Sequence, residues 1–367
     1  MSSISSRCTV SALVLSLCLP AYAQDPVALL TVTQPISYSD SANIIKHTYE
    51  TQLYTLPPFK EGHYGLRMYR QTQDPKYKSA IWSDIARVAD NLNKIADQTY
   101  TDKQIHAYSI NRLSGYLDET DERSLRRFNA TVKMPEYVFL GVSLLGSMAR
   151  ANEYGLKHRE DEKLRAILQR HDFTPYVTNQ KMIKAWAAQL ANQVFWLQQL
   201  GEQDVVEPFI NAFRETYPDN LDTSLTKQQY SNKVYGLTHI IFADSGYYQH
   251  PINEKEYQWL YDYLRENIDT IISRTKEDVI AEVGIAFLLA GLDDDPVVEK
   301  TRKHIQASID KEHGLIPSET GDFGLVYGEH RNVLAVMLLD WQGAHAVPNV
   351  TNNPKIITNA PYGLIKK

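Results

Sequence analysis

The sequence predicts an all-α fold, an (α/α)6 toroid in which helical hairpins are arranged in a ring, and three observations lead to it. Strands typically appear as runs of alternating β-branched residues bounded by turn dipeptides, and such runs are scarce in this sequence. Pairs made of one largely apolar helix and one amphipathic helix recur along the chain. One unpaired helix stands near each end of the chain, so that pairing the two would close the ring.

Residues 61–97 contain the clearest of these pairs. The first helix is expected to end at Asp74-Pro75, and the second then places apolar side chains at helical spacing: Ile81, Ile85, Val88, Leu92 and Ile95. Proline suits the first turn of a helix, because the N–H that it lacks would have no partner there. Two helices joined by so tight a turn lie antiparallel, so this segment predicts a helical hairpin.

The pair recurs with a spacing of roughly 50 residues, which is in the range expected of repeat arrays. Largely apolar helices are expected over 136–151, 181–200, 230–243, 278–290 and 329–341, and amphipathic or charged ones over 160–170, 202–213, 254–272 and 297–309. A helix that is apolar all round must be buried, whereas an amphipathic helix covers it. The first set is therefore expected to form an inner layer and the second an outer layer.

Two helices lack a partner in this scheme. The helix Ser39–Tyr54 has no inner helix before it, and Glu329–Trp341 has no outer helix after it. Their pairing would complete six hairpins, with the N-terminal helix closing the ring. The tail from Gly343 is rich in Pro, Asn and Gly and is expected to be ordered coil.

Residues 1–23 have the three parts of a secretory signal. Arg7 supplies the positive charge, an apolar stretch follows, and Ala21-Tyr22-Ala23 is a cleavage site before Gln24. The apolar stretch is shorter than the roughly 20 residues that cross a bilayer. The expectation is a single domain over 24–367 in the periplasm or outside the cell. A buried first helix or a lipid-modified Cys18 are the alternatives.

The composition excludes several classes of chemistry. Cys8 and Cys18 are the only cysteines, and both lie in the predicted signal. Thiolate catalysis, disulfide exchange and cysteine-ligated zinc are therefore excluded for the exported domain. The net charge of −6 and the absence of a basic tract argue against a nucleic-acid partner. No second apolar run approaches the length of a membrane span.

The segment Gly65–Ala80, GLRMYRQTQDPKYKSA, resembles the hairpins of (α/α)6-toroid carbohydrate enzymes, which include epimerases, unsaturated-uronyl hydrolases, lyases and glycosidases. The positions that fit their common pattern are Leu66, Tyr69, Thr72, Asp74, Pro75, Tyr77 and Ala80. Residues 278–305 and 313–339 also resemble the toroids of terpenoid cyclases, but the aspartate-rich motif of those enzymes is missing. The resemblance implies a toroid and a carbohydrate-active enzyme, and it supplies no catalytic motif.

In such a ring the N-terminal ends of the inner helices meet at one mouth of the central cavity, and polar residues there are candidates for a site. The candidate catalytic residues are Tyr235, His239, Glu282, Glu329 and His330, and the candidate substrate-binding residues are His63, Arg67, Tyr247, Tyr248 and Arg331. Each one interrupts or heads an apolar helix, or follows directly after one. Burying a charged group is unfavourable unless the group forms an ion pair or stays hydrated, so the charged residues at these positions need an explanation other than packing.

Two stripes at helical spacing have both a functional and a structural interpretation. His63, Arg67 and Arg70 share a face, where arginine could bind a sugar carboxylate through two parallel hydrogen bonds. The same stripe could be a solvated or salt-bridged face. Tyr235 and His239 could transfer protons, or His239 could be a core histidine that is satisfied by a buried hydroxyl.

The heads of the last two inner helices carry the remaining candidates. Asp278 and Glu282 could divide acid and base roles, although the helix dipole alone accounts for Asp278. Glu329, His330 and Arg331 precede the apolar run NVLAVMLL. A histidine at a helix N-terminus tends to stay neutral and can act as a base. The alternative is a capped helix start with charges that face solvent.

The predicted export, the toroid hairpins, the many tyrosines and the polar ends of the inner helices together predict an exported polysaccharide lyase or glycoside hydrolase with its site in the central cavity. His330 and Glu329 are expected to act with His239 or Tyr235 as the acid–base set, while Arg67 or Arg331 holds an anionic substrate group. No cofactor is expected, and a metal site of histidines has no support from short-range spacing such as His-Glu-x-x-His. A non-catalytic glycan- or peptide-binding protein on the same toroid, or a scaffold, is the alternative.

Overall fold

The structure, a computed structural model, describes residues 36–99, 101–118 and 121–367. Over these ranges the regular secondary structure is helical apart from two short strands, which confirms the all-α class. The predicted signal at residues 1–23 lies outside the described residues. Within them, no helix is both long and apolar enough to cross a membrane.

The helices follow one another with short connections. The α-helices are α1 Tyr38–Glu50, α2 Pro58–Thr72, α3 Lys78–Gln98, α4 Asp102–Ser114, α5 Glu122–Thr131, α6 Gly146–Glu153, α7 Asp161–Gln169, α8 Thr174–Val177, α9 Gln180–Leu200, α10 Val206–Thr216, α11 Lys227–Asp244, α12 Gln258–Arg274, α13 Glu277–Leu289, α14 Pro296–Ala307 and α15 Leu325–Leu339. A π-helix spans Val138–Leu145, and 3-10 helices span Leu53–Thr55, Pro75–Tyr77, Gly115–Leu117, Asp219–Ser224 and Glu254–Tyr257. The strands β1 Leu156–His158 and β2 Leu364–Lys366 pair antiparallel.

The hairpin of α2 and α3 is present as the sequence predicts. Gln73 ends α2 in a left-handed conformation, and the side chain of Asp74 accepts a hydrogen bond from the backbone N–H of Lys76. The two helices touch at Gly65, where an added Cβ would lie 2.4 Å from the Cβ of Ala80. Glycine at this position therefore sets how closely the two helices approach.

Burial separates the inner helices from the outer ones. Every residue of α13 from Val279 to Leu289 is buried, whereas its partner α14 buries only Val297, Val298, Thr301 and Ile305. The same contrast holds between α9 and α10, which are separated at Gly201 by a left-handed turn. The expected division into apolar and amphipathic helices is confirmed for these pairs.

Neighbouring helices pack in an order that follows the chain. α2 packs against α3 and α15, α15 against α13, α13 against α11, and α11 against α9. α9 contacts α6 and the π-helix, and α6 packs against α3. α1 lies beside α15, where the Tyr49 hydroxyl donates to the carbonyl of Leu325 at 3.1 Å. The predicted contact between the first and the last helix is thus present.

Other parts of the chain differ from the sequence-based expectation. α4 and α5 were not expected, and the apolar stretch 136–151 contains a π-helix before α6. The tail is mostly coil but ends in β2, which pairs with β1. The tail also lies near the C-terminal ends of α2 and α11. The backbone N–H of His345 donates to the carbonyl of Tyr248, just after α11, and the ring of His345 contacts the carbonyl of Arg70 on α2.

Candidate functional site

Four inner helices bring polar side chains into one cluster. The cluster consists of Lys60, His63 and Arg67 on α2, Tyr235 and His239 on α11, Asp278 and Glu282 on α13, and Glu329 and His330 on α15. The ring centroids of His63 and His330 are 5.5 Å apart, and those of His330 and Tyr235 are 6.4 Å apart. Side chains from three different helices therefore lie against one another in this cluster.

Glu329 orients the imidazole of His63. This carboxylate has no exposed surface, and its Oε1 lies 2.5 Å from Nδ1 of His63. Burial alone would raise the pKa of Glu329, but His63, Arg67 and Lys60 hold it below its usual value. Burial and the charge of Arg67 lower the pKa of His63 to about 3 despite the opposing effect of Glu329. A neutral His63 thus donates from Nδ1 and keeps Nε2 as a proton acceptor.

His330 bridges the two carboxylates of α13. Its Nδ1 lies 3.3 Å from Asp278 and its Nε2 lies 3.8 Å from Glu282. Burial alone would raise the pKa of Asp278, but the contact with His330 holds it below its usual value. His330 can therefore carry a proton between groups that face the cluster.

Glu282 is buried and joins α13 to α11. Its Oε2 accepts a hydrogen bond from Thr238 at 2.6 Å and lies 3.5 Å from Nδ1 of His239. The same Nδ1 is 3.0 Å from the backbone carbonyl of Tyr235. Burial, reinforced by Glu282 and Asp278, raises the pKa of the Tyr235 hydroxyl well above its usual range. Tyr235 is therefore protonated at ordinary pH and can act as a donor.

Arg67 is a buried cation without an ion-pair partner. Its side chain is 6% exposed, and it forms no salt bridge to any carboxylate among residues 36–99, 101–118 and 121–367. Its Nε has no hydrogen-bond partner, and its guanidinium carbon lies 6.0 Å from the ring centroid of Tyr248. Arg67 acts on Glu329 only at a distance, and a buried charge without a direct ion pair is unfavourable. The cluster is thus suited to receive one anionic group at Arg67.

Two tyrosines in a strained turn line the same region. Tyr247 and Tyr248 follow α11 with backbone φ angles of 58° and 72°, in the left-handed region that non-glycine residues rarely occupy. Each such residue costs on the order of 1–3 kcal/mol, and such strain occurs preferentially at functional sites. The turn places the ring centroid of Tyr247 6.3 Å from that of His239. It also places the ring of Tyr248 beside the guanidinium group of Arg67.

Several residues lie elsewhere than the sequence-based scheme would place them. Arg331 points away from the cluster, because its Nε donates to the carbonyl of Ile316 at 3.1 Å. Glu329 contacts His63 across the helix interface and not its neighbour His330.

The sequence-based selection also omitted two members of the site. Lys60, which lies 3.4 Å from Glu329, is three residues before His63 and so extends the stripe already recognised on α2. Thr238 carries no signal that separates it from other core threonines. No set of three or more His, Cys, Asp or Glu side chains in the described part of the chain is arranged to hold a metal ion.

Comparison with known proteins gives a family and no relative of known activity. No curated protein and no solved structure matches the chain. One family model, described as "Domain of unknown function (DUF3541)", matches residues 38–367, which extends from the start of α1 to the last residue. The chain therefore belongs to the DUF3541 family.

Proposed function

We propose that this protein is an exported carbohydrate-active enzyme, a lyase or hydrolase that acts on a glycan containing uronic acid. Its fold would be the closed (α/α)6 toroid that the hairpin pattern predicts. The packing of α1 beside α15 and the succession of contacts from α2 through α15, α13 and α11 to α9 support this ring. Because the tail lies against the C-terminal ends of α2 and α11, the substrate would enter the ring from the opposite side.

The observation that carries the proposal is Arg67 beside a histidine–carboxylate pair. A uronate is a sugar with one carboxylate, which is the group that an unpaired buried guanidinium binds best. The imidazole of His63, oriented by Glu329, supplies the base, and a substrate carboxylate at Arg67 would raise the pKa of His63 by offsetting the charge of Arg67 that helps to lower it. Tyr235 and His330 supply protons from the other side of the cluster.

The residues favour proton abstraction over hydrolysis. The three carboxylates Glu329, Asp278 and Glu282 all contact imidazoles, whereas a glycoside hydrolase commonly uses two carboxyl groups directly. In a lyase step, Nε2 of His63 takes the proton from the carbon next to the uronate carboxylate. The C–H electron pair forms a double bond as the C–O bond on the next carbon breaks. The departing oxygen takes a proton from Tyr235 or His330.

The first experiment is a screen of acidic and neutral polysaccharides for turnover, followed by the variant His63→Ala. Loss of a positioned base should lower kcat by about 10²–10⁴-fold. His106→Ala is the matched control, because His106 contacts Glu136 at 2.6 Å in a pair that is exposed on the surface. Full activity in His63→Ala would refute the assignment.

A binding protein is the second candidate function, and the unpaired Arg67 favours it as well. Such a protein would bind a uronate-containing glycan tightly and release it unchanged. Wild-type protein that binds but never turns over any glycan in the screen would decide for this alternative.

Export is tested separately by mass spectrometry, which should find that the mature chain begins at Gln24.

A further inference from the structure

A cavity of about 410 Å³ opens between α3, α4, α6 and the π-helix. We name it the basic groove and define it by the side chains Arg87, Lys94, Arg112, Arg150, Tyr108 and Trp196. Its lining includes these four cations and a single carboxylate, that of Glu153. The whole chain has a net charge of −6, so the positive charge is concentrated locally.

Three of the four cations of the basic groove already pair with carboxylates: Arg87 with Asp84, Lys94 with Asp90, and Arg150 with Asp84 and Glu153. Arg112 is exposed and forms no salt bridge with the described residues. The carboxylate of Glu153 already has two partners, because its Oε2 accepts a hydrogen bond from Arg150 at 2.6 Å and another from Arg70 at 3.0 Å. Arg87 contacts Asp84 through one terminal nitrogen, and its buried Nε has no hydrogen-bond partner. Arg112 is thus the cation of the groove that is left without an ion pair among the described residues, and the lining has no free carboxylate.

Aromatic rings and a π-helix shape the same cavity. Tyr108 and Trp196 are half-buried, and the Tyr108 hydroxyl lies 3.1 Å from Ser143 of the π-helix. Trp196 covers Gly146, where an added Cβ would be 3.3 Å from the indole ring. π-Helical turns occur frequently at functional sites. Flat apolar rings next to arginines match the faces and the carboxylates of acidic sugars.

Phe59 connects the basic groove to the catalytic cluster. Its ring is half-exposed and lines the groove. Its centroid is 5.9 Å from the ring centroid of His63 and 5.2 Å from the guanidinium carbon of Arg87. A ligand that fills the cluster at His63 would therefore reach the groove by passing over Phe59.

We infer that the basic groove binds additional units of an anionic oligosaccharide whose reacting uronate is held by Arg67. The substrate is then a polymer of acidic sugars, and the affinity depends on its length. This inference rests on the proposed function, because it extends the same ligand from the same cluster.

The test is calorimetric binding of oligogalacturonates, from the disaccharide to the octasaccharide, with cello-oligosaccharides of equal length as neutral probes. Wild-type affinity should rise with the length of the acidic chain. The double variant Arg112→Ser/Lys94→Ser should weaken octasaccharide binding by about 10-fold and disaccharide binding by much less. Both residues are exposed, so thermal unfolding should be unchanged.

Lys303→Ser is the matched control. Lys303 pairs with Glu299 four residues earlier on an exposed helix face, as Lys94 does with Asp90, but it lies on α14, outside the lining of the groove. An affinity that is independent of chain length, or an equal loss of affinity in the control, would refute the role of the basic groove. Neither result would affect the proposed uronate site at Arg67. Equally tight binding of a single-stranded oligonucleotide would overturn the assignment to sugars. Failure to bind any oligogalacturonate would overturn both proposals.

Discussion

Two buried arginines on α2 have opposite surroundings. Arg70 is fully buried and donates to Glu153, whereas Arg67 is 6% exposed and forms no salt bridge with the described residues. Arg70→Met should lower the free energy of unfolding by about 1–3 kcal/mol, because a buried charged hydrogen bond is lost. Arg67→Met should leave it unchanged or raise it by up to about 1 kcal/mol. Denaturation of both variants measures the difference, and equal losses would contradict the view that Arg67 awaits a ligand.

His63 should make the stability depend on pH. Its pKa falls from 6.5 to about 3 in the folded protein, chiefly because of burial. Between these values the unfolded chain binds the proton and the folded protein does not, so stability decreases as the pH falls through this window. The limiting slope is about 1.4 kcal/mol per pH unit. Urea denaturation of wild type and His63→Gln across the window tests this, and identical pH profiles would contradict it.

The identity of the site residues could be predicted in part, and their pairing could not. Glu282 and Glu329 stood out because they interrupt or head apolar helices, and both are buried in the cluster. Successive helical residues point about 100° apart, so Glu329 and His330 face different neighbours. Glu329 meets His63 and His330 meets Asp278. Such pairings depend on which helices are adjacent, which a single sequence does not specify.

At the scale of elements, the approach of α2 to α3 depends on Gly65. Gly65→Ala should lower the free energy of unfolding by about 1–3 kcal/mol, because the new methyl group would overlap Ala80. Adding Ala80→Gly should restore most of the loss. Gly115→Ala is the control, since nothing lies within 4 Å of its added Cβ. Chemical denaturation of the four proteins measures the coupling, and a lack of rescue would refute this packing.

The elements that were predicted are those with a strong local pattern. The α2–α3 hairpin has an Asp-Pro turn and a regular apolar stripe, and it was predicted correctly. α4 and α5 were missed because they bury few apolar side chains; α4 buries only Ile105, Ser109 and Leu113. The strands were missed because each has three residues and is stabilised by a partner about 200 positions away in the sequence.

At the scale of the whole molecule, the site lies where the first and the last α-helices of the described residues come together. α1 and α15 are adjacent, and α15 also packs on α2 and α13. These contacts place Glu329 against His63 and His330 against Asp278. A site assembled from α2, α11, α13 and α15 requires segments from the whole of the described chain.

Under the proposed function, the substrate supplies the anion that pairs with Arg67. The most direct measurement compares the binding of an oligogalacturonate and of its methyl ester to wild type and to Arg67→Met. Wild type should prefer the free acid by about 10-fold or more, because the ester removes a charge-assisted hydrogen bond, and Arg67→Met should lose that preference. A wild type that binds acid and ester equally, or a variant that still prefers the acid, would contradict the account.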